Sequence, residues 1–230
     1  QIRLALCALF SRGHLLIEDM PGMGKTTLSH ALARVLGLEF ARVQFTSDML
    51  PGDILGVSVF DQRAQAFTFH PGPVFTEVLL ADEINRSTPK TQSALLEAMA
   101  ERQVTIEGAT RALPADFFVI ATQNPVTQAG TFPLPESQLD RFLMRIAIGY
   151  PDRAAERTML AGGAGTPPIE ALKAALTREQ LRRIQHEAQQ VGTADMLLDY
   201  VQRLIEYTRS APEFAHGLSP RGALALVNSA

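Results

Sequence analysis

Three observations predict an α/β fold in which a parallel sheet is covered by helices and followed by a small all-helical region. Short apolar runs alternate with helical patterns as far as Tyr150, the signature of strands joined by crossover helices. A glycine-rich loop, EDMPGMGKTT at Glu18–Thr27, stands between the first of these strands and the helix after it. Beyond Tyr150 only helical patterns remain.

The elements follow in order. The opening apolar run, Leu4–Phe10, reads as a helix that buries Cys7 as a small apolar residue. The first strand falls at Leu15–Glu18. A helix runs from Lys25 with Leu28, Ala31, Leu32, Val35 and Leu36 on one face, and Gly37 is placed to stop it. Arg42–Thr46 and Glu77–Ala81 are the next two strands. Ser87 and Thr88 precede a helix that opens on Pro89 and buries Ala94, Leu95, Ala98 and Met99. Phe117–Thr122 and Leu143–Ile148 complete five core strands. Two hairpins interrupt them. One sets Val57 and Val59 opposite Phe67 and Phe69 around DQRAQ, and the other spans Gln103–Leu113. AGGAGTPP, at Ala161–Pro168, reads as a linker. Thr177 and Gln180 form a capping box, a second helix spans Asp195–Ser210, and a third starts at Ser219–Pro220.

Composition sets limits on function. With 230 residues, 46% of them hydrophobic, and a net charge of -3, the chain is neither disordered nor fibrous. The balance of 21 basic and 24 acidic residues offers no surplus for a nucleic-acid backbone. One cysteine makes no internal disulfide, which fits a cytoplasmic protein. The seven apolar residues after Arg3 lack a signal-peptide cleavage site and run on into the first strand. No stretch approaches the ~20 apolar residues of a membrane span. A start at Gln1 and a helical pattern still running at Ala230 read as a piece of a longer soluble protein.

The glycine-rich loop carries the chemistry. Backbone N–H groups of such a loop wrap phosphates at a helix N-terminus, Lys25 reaches the outer phosphates and Thr26 ligates magnesium. The strict pattern has glycine where Asp19 stands. Aspartate tolerates the left-handed backbone, so the loop is expected to form with Asp19 in that conformation. The same residues also read as a plain glycine-rich turn, until EVLLADE is added. That apolar strand ends on Asp82, placed to hold magnesium, and Glu83, placed to polarise the attacking water. Asn124, in ATQNP, stands past the next strand end and could orient that water or simply open a turn before Pro125. Arg141 is a candidate cation near the fifth strand, with an ion pair to Asp140 or Glu136 as the alternative. Arg221 stands in a helix's first turn, where the macrodipole disfavours a cation unless an anion joins it.

With those residues in place, the chain resembles the MoxR family of AAA+ ATPases. GHLLIEDMPGMGKTTLSHALA, FTSDMLPGDILG, LLADEINRSTPKTQSALLEAMAERQVTIEG, ATQNPVTQAGTFPLPESQLDRFL and GLSPRGALAL match family blocks in order. The resemblance implies a P-loop nucleotide-binding domain with a five-stranded parallel sheet over residues 1–150. It also implies a helical lid over 151–230, with ATP and Mg2+ bound between the two. Pro21, Gly22, Met23, Gly24, Lys25, Thr26 and Thr27 would hold the nucleotide, and Thr26 and Asp82 the metal. Glu83 would be the catalytic carboxylate, Asn124 the first sensor and Arg221 the second, and Arg141 a finger to the next subunit of a hexameric ring. The family adds a segment upstream of Gln1 and a lid that continues past Ala230. The implied function is a chaperone that matures protein complexes, often by inserting metal cofactors, beside a partner with a von Willebrand factor A domain. A chelatase-type motor, a nucleic-acid motor and a nucleotide-gated binding module are the competing functions. No histidine spacing suits a metal centre, and GVSVF lacks the second glycine of a nucleophile elbow.

Overall fold

The computed structural model describes residues 1–125, 130–161 and 168–230. Most of the expected linker, residues 162–167, therefore lies outside the described residues. Helix α1 (Ile2–Phe10) leads into strand β1 (Leu15–Glu18), helix α2 (Lys25–Val35) and strand β2 (Phe40–Gln44). A short helix α3 (Pro51–Leu55) and a hairpin of β3 (Gly56–Asp61) and β4 (Ala66–Pro71) precede β5 (Val78–Asp82). Helix α4 (Pro89–Glu101), a second hairpin of β6 (Gln103–Ile106) and β7 (Ala109–Ala112), and β8 (Phe118–Gln123) follow. The domain sheet ends with α5 (Glu136–Leu139) and β9 (Met144–Ile146), and helices α6 (Arg153–Leu160), α7 (Arg178–Gln189), α8 (Asp195–Ser210) and α9 (Pro220–Ser229) complete the chain.

The five core strands form one parallel sheet in the order β2-β5-β8-β1-β9. Its central strands are the most continuously apolar runs because both of their faces are covered; β5 and β8 are buried along their whole length. The pleat sorts their side chains. Leu16, Leu79, Ala81, Val119 and Ala121 pack against α4 through Leu95, Leu96 and Met99. Leu15, Ile17, Val78, Leu80, Phe118 and Ile120 pack on the other face against α1 and α2. Strand β2 obeys the same alternation, with Ala41 and Val43 towards α4 and Phe40 towards α2. Arg42 and Gln44 therefore share the α2 face.

Strand β2 begins two residues earlier than the sequence suggests, because ladder bonding already starts where Glu39 C=O accepts from Val78 N–H at 2.8 Å. The first hairpin pairs one residue out of the expected register. Phe67 opposes Phe60 and Phe69 opposes Ser58, while Val57 and Val59 face His70 and Thr68. The cause lies in the turn: Asp61 accepts from Arg63 N–H and Ala64 N–H, Gln65 takes a left-handed φ of 50°, and the ladder closes on Asp61 and Ala66. A shift of one residue exchanges the two faces of a strand. It leaves Phe67 exposed against Phe60, while Phe69 packs on Phe75 under the Arg111 guanidinium.

The amino ends of the strands are tied to α7. Arg182 holds the buried Asp116 through both carboxylate oxygens, Arg178 pairs with the buried Glu77, and Gln185 donates to Leu9 C=O. Leu181, on the same helical face, is fully buried. The capping box at Thr177 and Gln180 forms as expected.

His14 closes this end of the core. Its Nδ1 accepts from Val119 N–H at 3.0 Å and its Nε2 donates to Met99 C=O at 3.3 Å, which fixes a neutral ring. Burial and the nearby Arg102 charge lower its pKa from 6.5 to about 4. The unfolded chain therefore binds a proton at pH values where the folded chain does not. His14's contribution is complete above the unfolded value and is lost as pH falls towards the folded one, on the order of 3 kcal/mol in all. His14→Gln should lower urea stability at neutral pH and flatten its decline between pH 6.5 and 4. An unchanged slope across that window would show that another group controls the acid limb.

Candidate functional site

The loop between β1 and α2 is built to approach a ligand with its backbone. Gly22 and Gly24 have φ of 82° and 80°, and a Cβ placed on either would meet nothing within 4 Å. Left-handed glycines turn successive N–H groups into one concavity, and α2 adds its open N-terminus there. Pro21 and Thr27 are exposed along the loop, and Met23 is half-buried. Lys25 folds back over it, its ammonium donating to Asp19 C=O at 2.6 Å and to Met20 C=O at 3.1 Å. Thr26 is half-buried at the first turn of α2.

Asp19 replaces the missing glycine in a different way from the one its residue type suggested. It is not among the residues with positive φ. Its side chain provides the geometry instead: Oδ1 accepts from Met20 N–H at 2.8 Å, and Oδ2 accepts from Ile148 N–H at 2.8 Å and Gly149 N–H at 2.7 Å. Burial alone would raise its pKa, but these bonds and the Lys25 charge outweigh it and hold the carboxyl below the usual range. The loop is thereby fastened to the segment that leaves β9.

Sheet register brings the acid pair to the same edge. β1 pairs Ile17 with Thr122, β2 pairs Gln44 with Asp82, and β5 pairs Ala81 with Ala121. Asp82 therefore stands level with Thr122, and both share the α2 face with Arg42 and Gln44 by alternation. Thr122 is fully buried; its hydroxyl donates to Asp82 Oδ1 at 2.6 Å and accepts from Glu83 N–H at 2.8 Å. Arg42 covers Asp82 Oδ2 with Nη2 at 2.7 Å and Nε at 3.2 Å. Glu83 turns the chain with a left-handed φ of 56°, and its Oε2 accepts from Gln44 at 2.9 Å and Arg86 at 3.1 Å.

The donor set fits a nucleotide with a hard divalent cation. Magnesium bound with phosphates takes one or two protein oxygens and keeps waters, and the Thr26 hydroxyl and Asp82 carboxylate are of that type. No group of three or more His, Cys, Asp or Glu that could cage a metal occurs among the described residues. Glu83, one residue beyond Asp82, is the carboxylate available for proton transfer.

Of the remaining candidates, Asn124 is brought to this edge, where its backbone C=O accepts from the buried Asn85 side chain at 3.3 Å. Arg141 is not brought to the phosphate loop. Its guanidinium donates to Leu96 C=O on α4 at 3.0 Å, in place of the ion pair with Asp140 or Glu136. Arg221 is exposed in the first turn of α9, behind the Ser219 cap, and its side chain forms no hydrogen bond or ion pair with the described residues. Its neighbours Leu218 and Gly222 line a cavity of 570 Å3 against Leu16, Phe142 and Met144. Sequence reading missed Arg42, Gln44, Thr122 and Asn85. The available signal was two polar residues on the face of β2 that Phe40 opens as apolar.

Residues 14–144 match the profile of the ATPase family associated with various cellular activities (AAA). Over 227 residues the chain is 47% identical to the uncharacterized protein YeaC of Bacillus subtilis, covering 99% of this chain and 71% of YeaC. It is 42% identical to Chaperone MoxR1 of Mycobacterium tuberculosis, covering 98% of this chain and 62% of that protein. Protein MoxR of Methylorubrum extorquens is 38% identical over 68% of this chain and 46% of its own. A crystal structure from Cytophaga hutchinsonii, of a protein assigned as an ATPase, superposes with a TM-score of 0.86 at 38% identity over 99% of this chain and 71% of its own. The loop, the acid pair and these likenesses together make the chain a member of the MoxR family of AAA+ ATPases.

Proposed function

We propose that this chain is the ATP-hydrolysing part of a MoxR-type chaperone. The observation that carries the proposal is the register that sets the Lys25 loop, at the end of β1, beside Asp82 and Glu83 at the end of β5. Backbone N–H groups of Pro21–Thr27, proline aside, and the Lys25 ammonium would bind the phosphates of ATP. Thr26 and Asp82 would hold Mg2+, which supplies charge neutralisation at the phosphate oxygens. Glu83 would orient a water and accept its proton as the terminal phosphoryl group is released. Asn124 would position the same water, and Arg221 would reach the phosphates from α9, within a lid of residues 151–230 whose α7 stays fixed on the domain of residues 1–150.

Arg141 is held on α4 of its own chain, away from its own phosphate loop, which leaves it open to a role at another subunit's site. In a hexameric ring it would act as a finger to the ATP of the next subunit. The name of the M. tuberculosis relative supports a protein client. The near-balanced charge supports the same conclusion over a nucleic-acid track. A partner with a von Willebrand factor A domain, metal-cofactor insertion into the client, and a cytoplasmic location complete the proposal. No helix among the described residues is long and apolar enough to cross a membrane.

In the full-length protein, Lys25→Ala should abolish ATP binding. Glu83→Gln should retain binding and lose roughly 10²–10⁴-fold in phosphate release. Hydrolysis at the wild-type rate in either variant would refute the site. The inter-subunit role of Arg141 has a separate test. Lys25→Ala and Arg141→Ala proteins, each inactive alone, should regain part of the activity when mixed, since one supplies an intact site and the other an intact finger. Absence of any recovery in mixed rings would place Arg141 within its own subunit's structure only.

A further inference from the structure

We propose that Arg42 competes with the metal ion for Asp82, acting as a protein-borne counter-ion that keeps the metal-free site assembled and must leave when the metal arrives. The proposal rests on the reading of Asp82 as a metal ligand. Its basis is how unequally the two oxygens of that carboxylate are held.

Oδ1 is fastened to Thr122, whose side chain is fully buried and also holds the backbone of Glu83. That oxygen cannot move without disturbing the turn that aims Glu83. Oδ2 receives two N–H groups, both from the Arg42 guanidinium, converging on it as one forked contact. The arginine comes from β2, the strand at the sheet's edge, and its side chain is 47% exposed against 11% for Asp82. The half-exposed guanidinium regains water when it leaves, and an incoming cation would take over the charge of the nearly buried Asp82, so the exchange leaves no buried charge unpaired. The fixed partner is thus the acid, and the replaceable one is the arginine.

Charge points the same way. Asp82 and Glu83 are matched in this structure by Arg42 and Arg86, a neutral set. A divalent cation added at Asp82 with Arg42 still in place would crowd like charges around one oxygen. Release of Arg42 would also reach Glu83. Arg42 Nη2 donates at once to Asp82 and, at 3.1 Å, to Gln44 Oε1, and the Gln44 amide donates to Glu83 Oε2. Arg42 therefore fixes the orientation of the amide that restrains the catalytic carboxylate, and its departure leaves that amide free to turn.

The test is equilibrium binding of a fluorescent, non-hydrolysable ATP analogue to the full-length protein, titrated with Mg2+. In Arg42→Met, the Mg2+ concentration giving half of the metal-dependent gain in affinity should fall about fivefold, the scale of one partly exposed ion pair. The metal-free melting temperature should fall with it. Arg42→Lys keeps the charge without the planar fork and should lie between. If Arg42→Met does not fold, Arg42→Gln reads the same shift. An unchanged or raised Mg2+ requirement in the folded variants would overturn competition and make Arg42 a support for the bound metal. Asp82→Asn separates the two levels of argument. Loss of the metal-dependent gain upholds Asp82 as the ligand and leaves the Arg42 result to decide alone, whereas its persistence removes the ground beneath both.

Discussion

The hydroxyl of Thr122 is the point on which the geometry of the site depends. It donates to Asp82 and accepts from the backbone of Glu83, so a single buried oxygen orients one acid and anchors the turn that presents the other. The arrangement exists only because β8 lies between β1 and β5 in a parallel sheet with Thr122 level with Asp82. A non-glycine residue in the left-handed region costs of order 1 kcal/mol or more and persists where its surroundings hold it. At Glu83 the Thr122 hydroxyl is part of that hold. The strain is therefore local, and the apolar packing of two fully buried strands supports it.

Strands covered on both faces announce themselves as apolar runs, which is why β5 and β8 could be read from the sequence within one residue. The edge strand β2 was displaced, because its polar residues carry the site while its apolar ones alternate. Lys25, Asp82 and Glu83 were legible for a related reason: each sits in a short motif whose chemistry is complete within a few residues. Arg42 and Gln44 gain their meaning only from lying beside β5, and nothing within β2 states which strand will be its neighbour. The hairpin register failed on a single turn residue, Gln65, whose left-handed backbone shifts the ladder by one.

Asp19 shows how a motif can be kept by other means. The departure from glycine was visible, but local conformational preference suggested a backbone solution, whereas the folded chain uses a side-chain one. The difference has a mechanical consequence. A glycine would keep the backbone bond from residue 19 to Gln123 C=O and lose the side-chain ones. The carboxylate ties it also to Ile148 and Gly149, on the path towards the C-terminal helices. Displacement of that path therefore loads the first residue of the loop directly, through hydrogen bonds to a charged acceptor, which are stronger than neutral ones.

The two ends of the sheet use the same pairing for opposite purposes. At the amino ends a buried aspartate, Asp116, meets a half-exposed arginine, Arg182; at the carboxyl ends Asp82 meets Arg42 with similar exposures. The pairs alone do not distinguish a clamp from an exchangeable contact. What differs is their backing. Arg182 engages both oxygens of Asp116, from a helix also fixed by the buried Leu181 and by Gln185. Arg42 engages one oxygen of Asp82, from a strand with no neighbour on its outer side. An ion pair holds elements together when the elements are already packed, and yields when only its own modest energy opposes a competitor. The fold thus backs the Asp116 pair with packed elements at one end of the sheet and leaves the Arg42 pair without such backing at the other.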